Sequence, residues 1–166
     1  MDLRYYNVST PIGSLTIVEY KNIVVYIGLP DSSKEKINNW CKKKLNYNTF
    51  KKYKNPQSLA KTQLEEYFFA QRKVFTFKYQ LFTTDFRKKV LTAVTKIPFG
   101  QTKSYGEIAK NIGHPKAMRA VGTANATNTL PIVIPCHRVI AQNGGLGGYG
   151  GGLDMKIKLL ELEEWI

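Results

Sequence analysis

Three stretches near the start of the chain alternate apolar and polar residues in the way that strands do. They read LRYYNVS, SLTIVEY and IVVYIGL, and turn signals at 11–13 and at Lys21-Asn22 separate them. A period of two places alternate side chains on one face, and β-branched and aromatic residues favour a pleated surface. The pattern therefore predicts a β-meander over residues 3–29.

The residues after the meander change to helical spacing. Ser32 followed by Glu35 is a capping-box pattern, and it predicts a helix that continues to about Leu45. Cys41 falls on the apolar stripe of this helix. We therefore expect Cys41 to pack in the core as a small hydrophobic residue.

A second helix and a further strand are predicted before residue 83. Asn55 followed by Pro56 is typical of an N-cap and a first helical position, and the apolar spacing continues to about Gln71. The segment 74–82 alternates apolar and polar residues, so it predicts another strand.

The hydrophobic pattern of the sequence changes near Thr83. After this residue, helical spacing and glycine-containing loops replace the alternation that is typical of strands. Thr84 is placed to cap a helix that Pro98 and Gly100 end. We therefore place a domain boundary at residue 82. The sequence predicts an α+β fold, with a small strand-rich N-terminal domain over 1–82 and a mostly helical C-terminal domain over 83–166.

Two short helices joined by a tight turn are predicted in the C-terminal domain. Ser104 and Glu107 form a second capping box, and the helix that they begin ends at Gly113. Pro115 is predicted to open the next helix, whose small residues surround one long cation, Arg119. This pairing is typical of a helix-turn-helix, a motif of DNA-binding proteins. A helical hairpin that packs its small residues against a neighbouring helix is the alternative.

Composition and charge narrow the class of protein. The chain has 166 residues, of which 43% are hydrophobic, and a formal net charge of +13. No window approaches the roughly 18 apolar residues of a membrane span, and the first residues lack the layout of a signal peptide. We therefore expect a soluble cytoplasmic protein without membrane contact. The positive charge favours a polyanionic partner, nucleic acid first, although a lysine-rich solubilising surface has the same composition.

Cys136 combines the chemistry of a nucleophile with a suitable neighbourhood. It lies between two apolar runs, and His137 and Arg138 follow it directly. A free thiol has a pKa near ~8.5, which adjacent cations and a base lower, so this Cys-His pair is a candidate nucleophile. A buried, inert cysteine beside a surface histidine is the alternative. Because the chain has only two cysteines and two histidines, we expect no structural zinc.

A glycine-rich loop and a terminal helix follow the thiol. Residues 144–152 contain seven of the thirteen glycines of the chain, with Tyr149 among them, so this loop can bring backbone close to a ligand. The terminal helix is predicted from Asp154 to Trp165, and its end carries glutamates at 161, 163 and 164. One of these could orient the histidine as the third member of a triad, and spacing alone does not select one.

These motifs together resemble the O6-alkylguanine-DNA alkyltransferases, also called methylated-DNA–protein-cysteine methyltransferases. The resemblance rests on Pro-Cys-His-Arg-Val-Ile at 135–140, on Ser-Tyr-Gly-Glu at 104–107 and on the loop with Gly-Gly-Tyr and Gly-Gly-Leu. It covers residues 84–166 in order and spacing, and it is looser over 1–82. It implies a DNA-repair enzyme that irreversibly moves a methyl or other alkyl group from O6 of guanine, or from O4 of thymine, to its own Cys136.

The resemblance implies roles for individual residues. Cys136 would be the nucleophile of a relay that runs through a water to His137 and Glu163. Asn128 would brace this network, and Tyr105 would hydrogen-bond the guanine and help to protonate the leaving base. The resemblance implies no cofactor, and a stable thioether product implies one turnover per molecule.

Contacts with DNA are implied in the same way. Arg119 would enter the base stack when the damaged nucleotide turns out of the duplex. The other positions at which family members meet DNA are Tyr105, Gly106, His114, Lys116 and Gln142. The guanine pocket would be lined by the backbone of Cys136 and Val139 and by the loop around Tyr149 and Gly150. The implied partner is double-stranded DNA with an O6-alkylguanine, and we expect a monomer to bind it.

This chain departs from the family pattern at three positions. Thr129 stands where many members have proline, Gly150 where some have serine, and Ala126 where some have a second arginine. These departures bear on affinity and on the range of substrates. Some relatives bind zinc in the N-terminal domain, and since the Cys/His set is missing here, we expect no metal.

Three other functions would use part of the same features. A protein that grips damaged bases without chemistry would share the helix pair, but such relatives typically carry tryptophan at the position of Cys136. A cysteine hydrolase or acyltransferase would use the thiol and the histidine, but it has no use for the helix pair or Arg119. A regulatory helix-turn-helix protein would need a sensor domain, which no segment resembles.

Overall fold

The computed structural model describes residues 3–47, 50–54 and 56–166. Its internal contacts separate the chain into two compact units, an N-terminal unit (residues 1–82) and a C-terminal unit (residues 83–166). The predicted α+β class is confirmed, with a sheet in the N-terminal unit and mostly helices in the C-terminal unit. Within the described ranges, every helix is too short or too polar to cross a membrane.

A four-stranded sheet forms the frame of the N-terminal unit. Strands β1 (Leu3–Thr10), β2 (Gly13–Tyr20) and β3 (Ile23–Gly28) run antiparallel in chain order, and β4 (Lys51–Lys52) pairs parallel with β1 at the edge opposite β3. Gly13 closes the first turn at φ 115°, where a side chain would be strained. The predicted meander is confirmed.

Helix α1 (Lys34–Leu45) packs on this sheet, and its cap differs from the prediction by one residue. Ser33 is the N-cap, since its Oγ accepts the Lys36 N–H at 3.1 Å. The predicted cap, Ser32, instead closes a turn by donating its N–H to the Leu29 carbonyl at 2.8 Å. The expected burial of the cysteine is confirmed. The core cluster consists of Leu3, Val18, Val25, Tyr26, Ile37 and Cys41.

Helix α2 (Leu59–Phe68) is shorter than predicted. It follows Ser58, whose hydroxyl makes no cap hydrogen bond and instead donates to the Glu19 carboxylate at 2.9 Å. Asn55, the predicted cap, lies outside the described residues. Pro56 precedes the helix by three residues, so it does not occupy the first helical position.

The strand predicted over 74–82 is wrong except for a single bridge between Tyr79 and Val24. The side chain of Gln63 holds Thr76 instead, because it accepts the Thr76 N–H at 2.8 Å and donates to the Thr76 hydroxyl at 2.5 Å. A buried amide therefore satisfies backbone that a longer ladder would otherwise pair.

The C-terminal unit consists mainly of helices around one buried loop. Its elements are α3 (Asp85–Thr95), β5 (Lys103–Ser104), α4 (Tyr105–Asn111), α5 (Met118–Ala126), a 3₁₀ turn (Cys136–Arg138), β6 (Val139–Ile140) and α6 (Leu153–Leu162). The Thr84 cap of α3 is confirmed, since its hydroxyl accepts the Arg87 N–H. The two short strands β5 and β6 pair in parallel and hold the start of α4 next to the residues after the 3₁₀ turn.

Helices α4 and α5 form the predicted helix-turn-helix. Both bonds of the capping box are present, since Ser104 and Glu107 each accept the backbone N–H of the other. Gly113 follows α4 at φ 79° and turns the chain. The prediction that Pro115 opens α5 is wrong. Residues 114–117 form a turn closed by a hydrogen bond from Ala117 N to the His114 carbonyl (2.9 Å), so α5 begins three residues later.

Candidate active site

Asn128 braces the loop that leads to the candidate nucleophile. Its Nδ2 donates to the Ile134 carbonyl at 2.9 Å, and its Oδ1 accepts the Leu130 N–H at 2.9 Å. Between these bonds Ile132 adopts φ 74°, a conformation that a β-branched residue rarely takes and that costs about 1–3 kcal/mol. The two bonds of Asn128 span the strained residue and fix the turn ahead of Cys136.

Cys136 opens the 3₁₀ turn and is a buried residue, 5% exposed. Burial raises the pKa of its thiol, whereas a hydrogen bond with Asn128 and the charge of Lys156 act to lower it. The balance keeps the resting thiol protonated near neutral pH. A base is therefore needed before this sulfur can act as a nucleophile.

His137, which follows Cys136 directly in the chain, forms a fully buried pair with Glu163, with Nε2 and Oε1 2.8 Å apart. Burial opposes ionisation of Glu163, but hydrogen bonds from His137 and Arg138 outweigh it and hold the pKa of the carboxyl well below its ordinary value. Burial lowers the pKa of His137, which is therefore neutral at pH 7. Because the ionised carboxylate can only accept, the proton of the neutral ring lies on Nε2.

The remaining ring nitrogen, Nδ1 of His137, is buried and has no hydrogen-bond partner within the described residues. An unprotonated Nδ1 is an acceptor in a neutral imidazole.

The structure distinguishes the three glutamates at the end of α6, among which the sequence alone did not select one. Glu163 is buried just after the last residue of α6, whereas Glu161 and Glu164 are exposed. The helix ends earlier than Trp165 because Glu164 adopts φ 59°.

Arg138 belongs to this network, although the sequence reasoning named it only as a cation next to the Cys-His pair and not as a partner of Glu163. Its Nε and Nη2 each lie 2.8 Å from a different oxygen of Glu163, and its Nη1 donates to the Ile97 carbonyl at 2.6 Å. This two-bond fork compensates the buried carboxylate and fixes its orientation toward His137. The signal in the sequence that could have indicated this role is the position of Arg138 directly after Cys136 and His137.

Lys156 is a second residue that the sequence reasoning missed. Its side chain is fully buried in α6, and Nζ donates to the carbonyls of Val139 (2.7 Å), Gly148 (3.3 Å) and Leu146. Burial lowers its pKa to about 8, and the nearby Cys136 opposes the decrease. Lys156 therefore ties the glycine-rich loop to β6. The available signal in the sequence was the spacing of Lys156 from Leu159 and Leu160. Residues three and four apart on a helix share a face, so this lysine lies on the apolar face of α6.

Tyr105, the first residue of α4, lies between α5 and the glycine-rich loop. A methyl group at Gly147 would be 3.1 Å from the Tyr105 hydroxyl, and one at Gly122 would be 3.9 Å from its ring. Burial raises the pKa of Tyr105, and a negative charge on Cys136 would raise it further, so the phenol stays protonated. Asn125 of α5, which the sequence reasoning also missed, donates to the Cys136 carbonyl at 3.2 Å.

The residues predicted to meet DNA lie mostly on the surface of α4, α5 and the turn between them. Arg119, His114 and Lys116 are exposed, and the His114 ring packs on Phe86. Gln142 is exposed, and its amide covers Gly106 so closely that a Cβ there would overlap its oxygen. The predicted pocket residues differ in exposure. Val139 is buried, Tyr149 is half-buried and Gly150 is exposed.

The histidine, cysteine and acidic side chains of the described residues form no group of three that could hold a metal ion. Cys41 and Cys136 are both free thiols. The absence of a metal and of a cofactor stays a prediction.

The site is that of a group-transfer protein with a cysteine nucleophile. Residues 85–165 match the family described as 6-O-methylguanine DNA methyltransferase, DNA binding domain. A methylated-DNA–protein-cysteine methyltransferase of Methanosarcina mazei is 43% identical over 98% of both chains, and the constitutive one of Bacillus subtilis is 41% identical over 97% of this chain and 96% of its own. The chain belongs to the family of methylated-DNA–protein-cysteine methyltransferases.

Solved structures agree with this membership. The Mycobacterium tuberculosis OGT crystallised in complex with DNA has a TM-score of 0.86 and 37% identity, and the match covers 97% of this chain and 92% of that one. The O6-methylguanine-DNA methyltransferase of Pyrococcus kodakaraensis has a TM-score of 0.68 and 25% identity over 97% of this chain and 98% of its own.

Proposed function

We propose that this protein repairs DNA by transferring an alkyl group from O6 of guanine to Sγ of Cys136, once per molecule. The observation that carries the proposal is a buried thiol that directly precedes the His137–Glu163 pair in the chain, in the same unit as the helix-turn-helix. Family membership supports the reaction, and the DNA complex of the M. tuberculosis relative supports double-stranded DNA as the partner. The unit 83–166 is then the DNA-binding and alkyl-transfer domain.

The buried pair provides the base that the thiol needs. Glu163 fixes the proton of His137 on Nε2, which leaves Nδ1 to take the thiol proton, directly or through a water. The resulting imidazolium faces a carboxylate that is already ionised, so no further proton has to move within the pair. Arg138 keeps that carboxylate in place during the charge separation.

Transfer is a substitution at the alkyl carbon. The sulfur of Cys136 forms a C–S bond while the C–O6 bond breaks, and the electron pair stays on the guanine. The phenol of Tyr105, which burial keeps protonated, donates its proton toward the leaving base. Because the thioether has no bond that water readily cleaves, the nucleophile is consumed and each chain acts once.

The helix pair provides the contact with DNA in this proposal. Small residues on α5 let its backbone approach a minor groove that is only ~6 Å wide, and the exposed Arg119 fills the space that the extruded nucleotide leaves. Gly106, His114, Lys116 and Gln142 meet the strand on either side. The base enters between Tyr105 and the segments that contain Val139, Tyr149 and Gly150.

The monomeric state and the cytoplasmic location belong to the same proposal. One chain carries both the thiol and the helix pair, which supports action as a monomer. Two free thiols suit a reducing compartment. Sedimentation of the purified protein with and without duplex tests the first point.

Intact mass after exposure to an O6-methylguanine duplex tests the reaction. We expect the mass to increase by one CH₂ per chain and then to stay constant, with the adduct on Cys136 and not on Cys41. Burial raises the pKa of the Cys41 thiol to about 11, so it serves as an internal control. The Cys136→Ala variant should still bind the duplex without gaining mass. Turnover beyond one methyl group per chain, or an unchanged mass with DNA bound, would contradict the proposal.

The role of Arg119 is tested separately from the chemistry. Arg119→Ala should slow transfer from the duplex by about tenfold or more, because less of the unstacking cost is offset. Its transfer from free O6-methylguanine should stay unchanged. Arg87→Ala in α3 is the matched control. Equal slowing with duplex and free base would refute the role in nucleotide extrusion.

A further inference from the structure

A run of lysines in the N-terminal unit has no part in the site described above. Residues 34–54 contain eight lysines and a single acidic residue, Glu35, which gives a net charge of +7. The rest of residues 1–82 carries a net charge of only +1. The positive charge of this unit is therefore concentrated in 21 residues. We call the following side chains the lysine surface: Lys34, Lys36, Lys42, Lys43, Lys44, Lys51, Lys52 and Lys54.

The fold brings the two parts of the lysine surface next to each other. One part lies on α1 and the other on or beside β4, and only residues 45–50 separate them. Leu45, Tyr47 and Phe50 pack against the same core cluster as α1. The Phe50 ring also contacts the Tyr5 ring of β1, with centroids 4.9 Å apart. Phe50, the residue before β4, lines one cavity together with Lys34, Ile37 and Asn38, so the start of β4 lies near the first turns of α1.

All eight side chains are exposed, and the ion pairs found in the described part of the chain include none of them. Lys36 and Lys43 lie seven residues apart, which is two helical turns or roughly 10 Å, and both are exposed, whereas Ile37 and Cys41 between them are buried. Among the residues that the structure describes, the charge of the lysine surface is therefore not compensated by any ion pair.

Two structural roles explain some of these positions but not the whole set. Lysines in the last turn of a helix favour its dipole, and lysines on an edge strand prevent pairing with other chains. Neither role accounts for Lys34 and Lys36 at the other end of α1. A surface that only keeps a protein soluble mixes both signs of charge, whereas this one contains one acid among eight bases.

We propose that the lysine surface binds the phosphate backbone of duplex DNA, as a contact additional to that of helix α5. The inference rests on the proposed function, which makes DNA the polyanion that this protein meets. Duplex DNA carries about one negative charge per 1.7 Å of its axis, and lysines that neutralise phosphates release condensed counterions. Such contacts carry no sequence information. They increase affinity for undamaged DNA, on which the protein must search for a lesion.

The salt dependence of binding to an undamaged duplex tests the proposal. The variant K42Q/K43Q/K44Q removes three charges from the lysine surface, and K61Q/K73Q/K78Q removes three from the same unit outside it. The plot of log K against log salt has a negative slope. In the first variant we expect that slope to become less steep by about 0.9 for each lost phosphate contact. The control variant should keep the wild-type slope. Thermal melting shows that each variant is folded, and K51Q/K52Q is an independent second test.

Several results would overturn the proposal. An equal decrease of the slope in both triple variants would indicate a diffuse effect of net charge. An unchanged slope in K42Q/K43Q/K44Q and in K51Q/K52Q would show that these lysines do not contact DNA. A lower melting temperature or aggregation of the same variants would then indicate that the lysines only stabilise the end of α1 or protect the edge strand β4. Loss of binding to single-stranded RNA of the same length, without any loss for the duplex, would assign the surface to a different nucleic acid.

Failure of this proposal and failure of the proposed function are distinguishable. Methylation of Cys136 by free O6-methylguanine does not depend on the lysine surface, and it should be equal in the wild type and in both triple variants. If that methylation occurs while the salt slopes are equal, only the lysine surface proposal fails. If the slopes differ as expected but Cys136 gains no methyl group from any substrate, only the proposed function fails.

Discussion

Each of the two units buries a glutamate beside an arginine, and the two glutamates differ in what else they contact. Glu163 binds the fork of Arg138 and also His137, the residue that follows Cys136. Glu19 contacts hydroxyl groups and an arginine that is partly exposed. The donors to Glu19 are Tyr6 at 2.8 Å, Ser58 at 2.9 Å and Arg4 at 3.1 Å.

The comparison shows that a buried ion pair alone does not make a reactive site. Both carboxylates are compensated, as buried charges must be. Only the one in the C-terminal unit contacts a group that can take a proton from a nucleophile. Around Glu19 the burial raises the pKa of Tyr6 far above its ordinary value, so that phenol cannot act as a base at neutral pH. We therefore expect loss of the Glu19 carboxylate to affect stability alone, and loss of the Glu163 carboxylate to affect both stability and transfer.

The largest expected difference is between Glu163→Gln and Glu19→Gln. Glu163→Gln leaves Arg138 buried without a counter-charge, so the free energy of unfolding should fall by about 3–5 kcal/mol. The new amide also favours the wrong tautomer of His137, so transfer should slow by on the order of 10³–10⁴-fold. Glu19→Gln should cost roughly 1–3 kcal/mol and leave the transfer rate per folded molecule unchanged. Urea unfolding and single-turnover kinetics measure the two effects.

Glu164→Gln is the matched control, since that residue is exposed. It should change neither quantity. A Glu19→Gln variant that is stable but slow in transfer would break the distinction between the two buried glutamates.

Lysine offers the second test of the comparison, because Lys156 is buried and Lys43 is exposed. Lys156→Met leaves three carbonyls without their donor, so we expect a loss of roughly 2–4 kcal/mol in the free energy of unfolding. Lys43→Met should stay within about 0.5 kcal/mol of the wild type. Chemical unfolding at pH 7 checks both values, and equal losses would contradict the bonding described for Lys156.

Acid should destabilise the protein first through the C-terminal unit, which contains both histidines of the chain. Burial places the pKa of folded His137 below its ordinary 6.5, so below pH 6.5 the unfolded chain takes up a proton that the folded one refuses. The free energy of unfolding therefore falls as the pH decreases, by at most about 1.4 kcal/mol per pH unit for this group.

Below pH 4.5 the same direction applies to Glu163, whose folded pKa is lower than that of the unfolded chain. Urea unfolding between pH 7.5 and 4.5 measures the contribution of His137 to this pH dependence. We expect a smaller decrease in His137→Gln and a wild-type decrease in His114→Gln, which changes an exposed ring. The opposite ranking of these variants would refute the assignment to His137.

The smallest expected effect concerns the start of α1, where structure and sequence disagree by one residue. Ser33→Ala should cost about 1 kcal/mol in the free energy of unfolding, because it removes the acceptor of the Lys36 N–H. Ser32→Ala should cost less, since Ser32 contributes only its backbone to the turn. Thermal melting of the two variants compares them directly. A larger loss for Ser32→Ala would restore the cap predicted from the sequence.

Several predictions that depend on neighbours along the chain agree with the structure, although the cap of α1 and the starts of α2 and α5 do not. The meander, the capping box of Ser104 and Glu107 and the burial of Cys41 all follow from local spacing. The strand over 74–82 failed because a long-range bond from Gln63 replaces its ladder. Pro115 was predicted to open a helix because proline favours first helical positions. In the structure it lies instead in the turn between His114 and Ala117 that precedes α5.

The sequence by itself determined the class of fold, the thiol and its neighbour His137, because each of these is encoded in adjacent residues or in a short period. Only the tertiary structure decided which charges are buried together. Arg138 and Glu163 are 25 residues apart, and Lys156 lies 17 residues from Val139, whose carbonyl it binds. Such pairs form because burial forces every charge to find a partner, and the partner is set by the fold rather than by position in the chain.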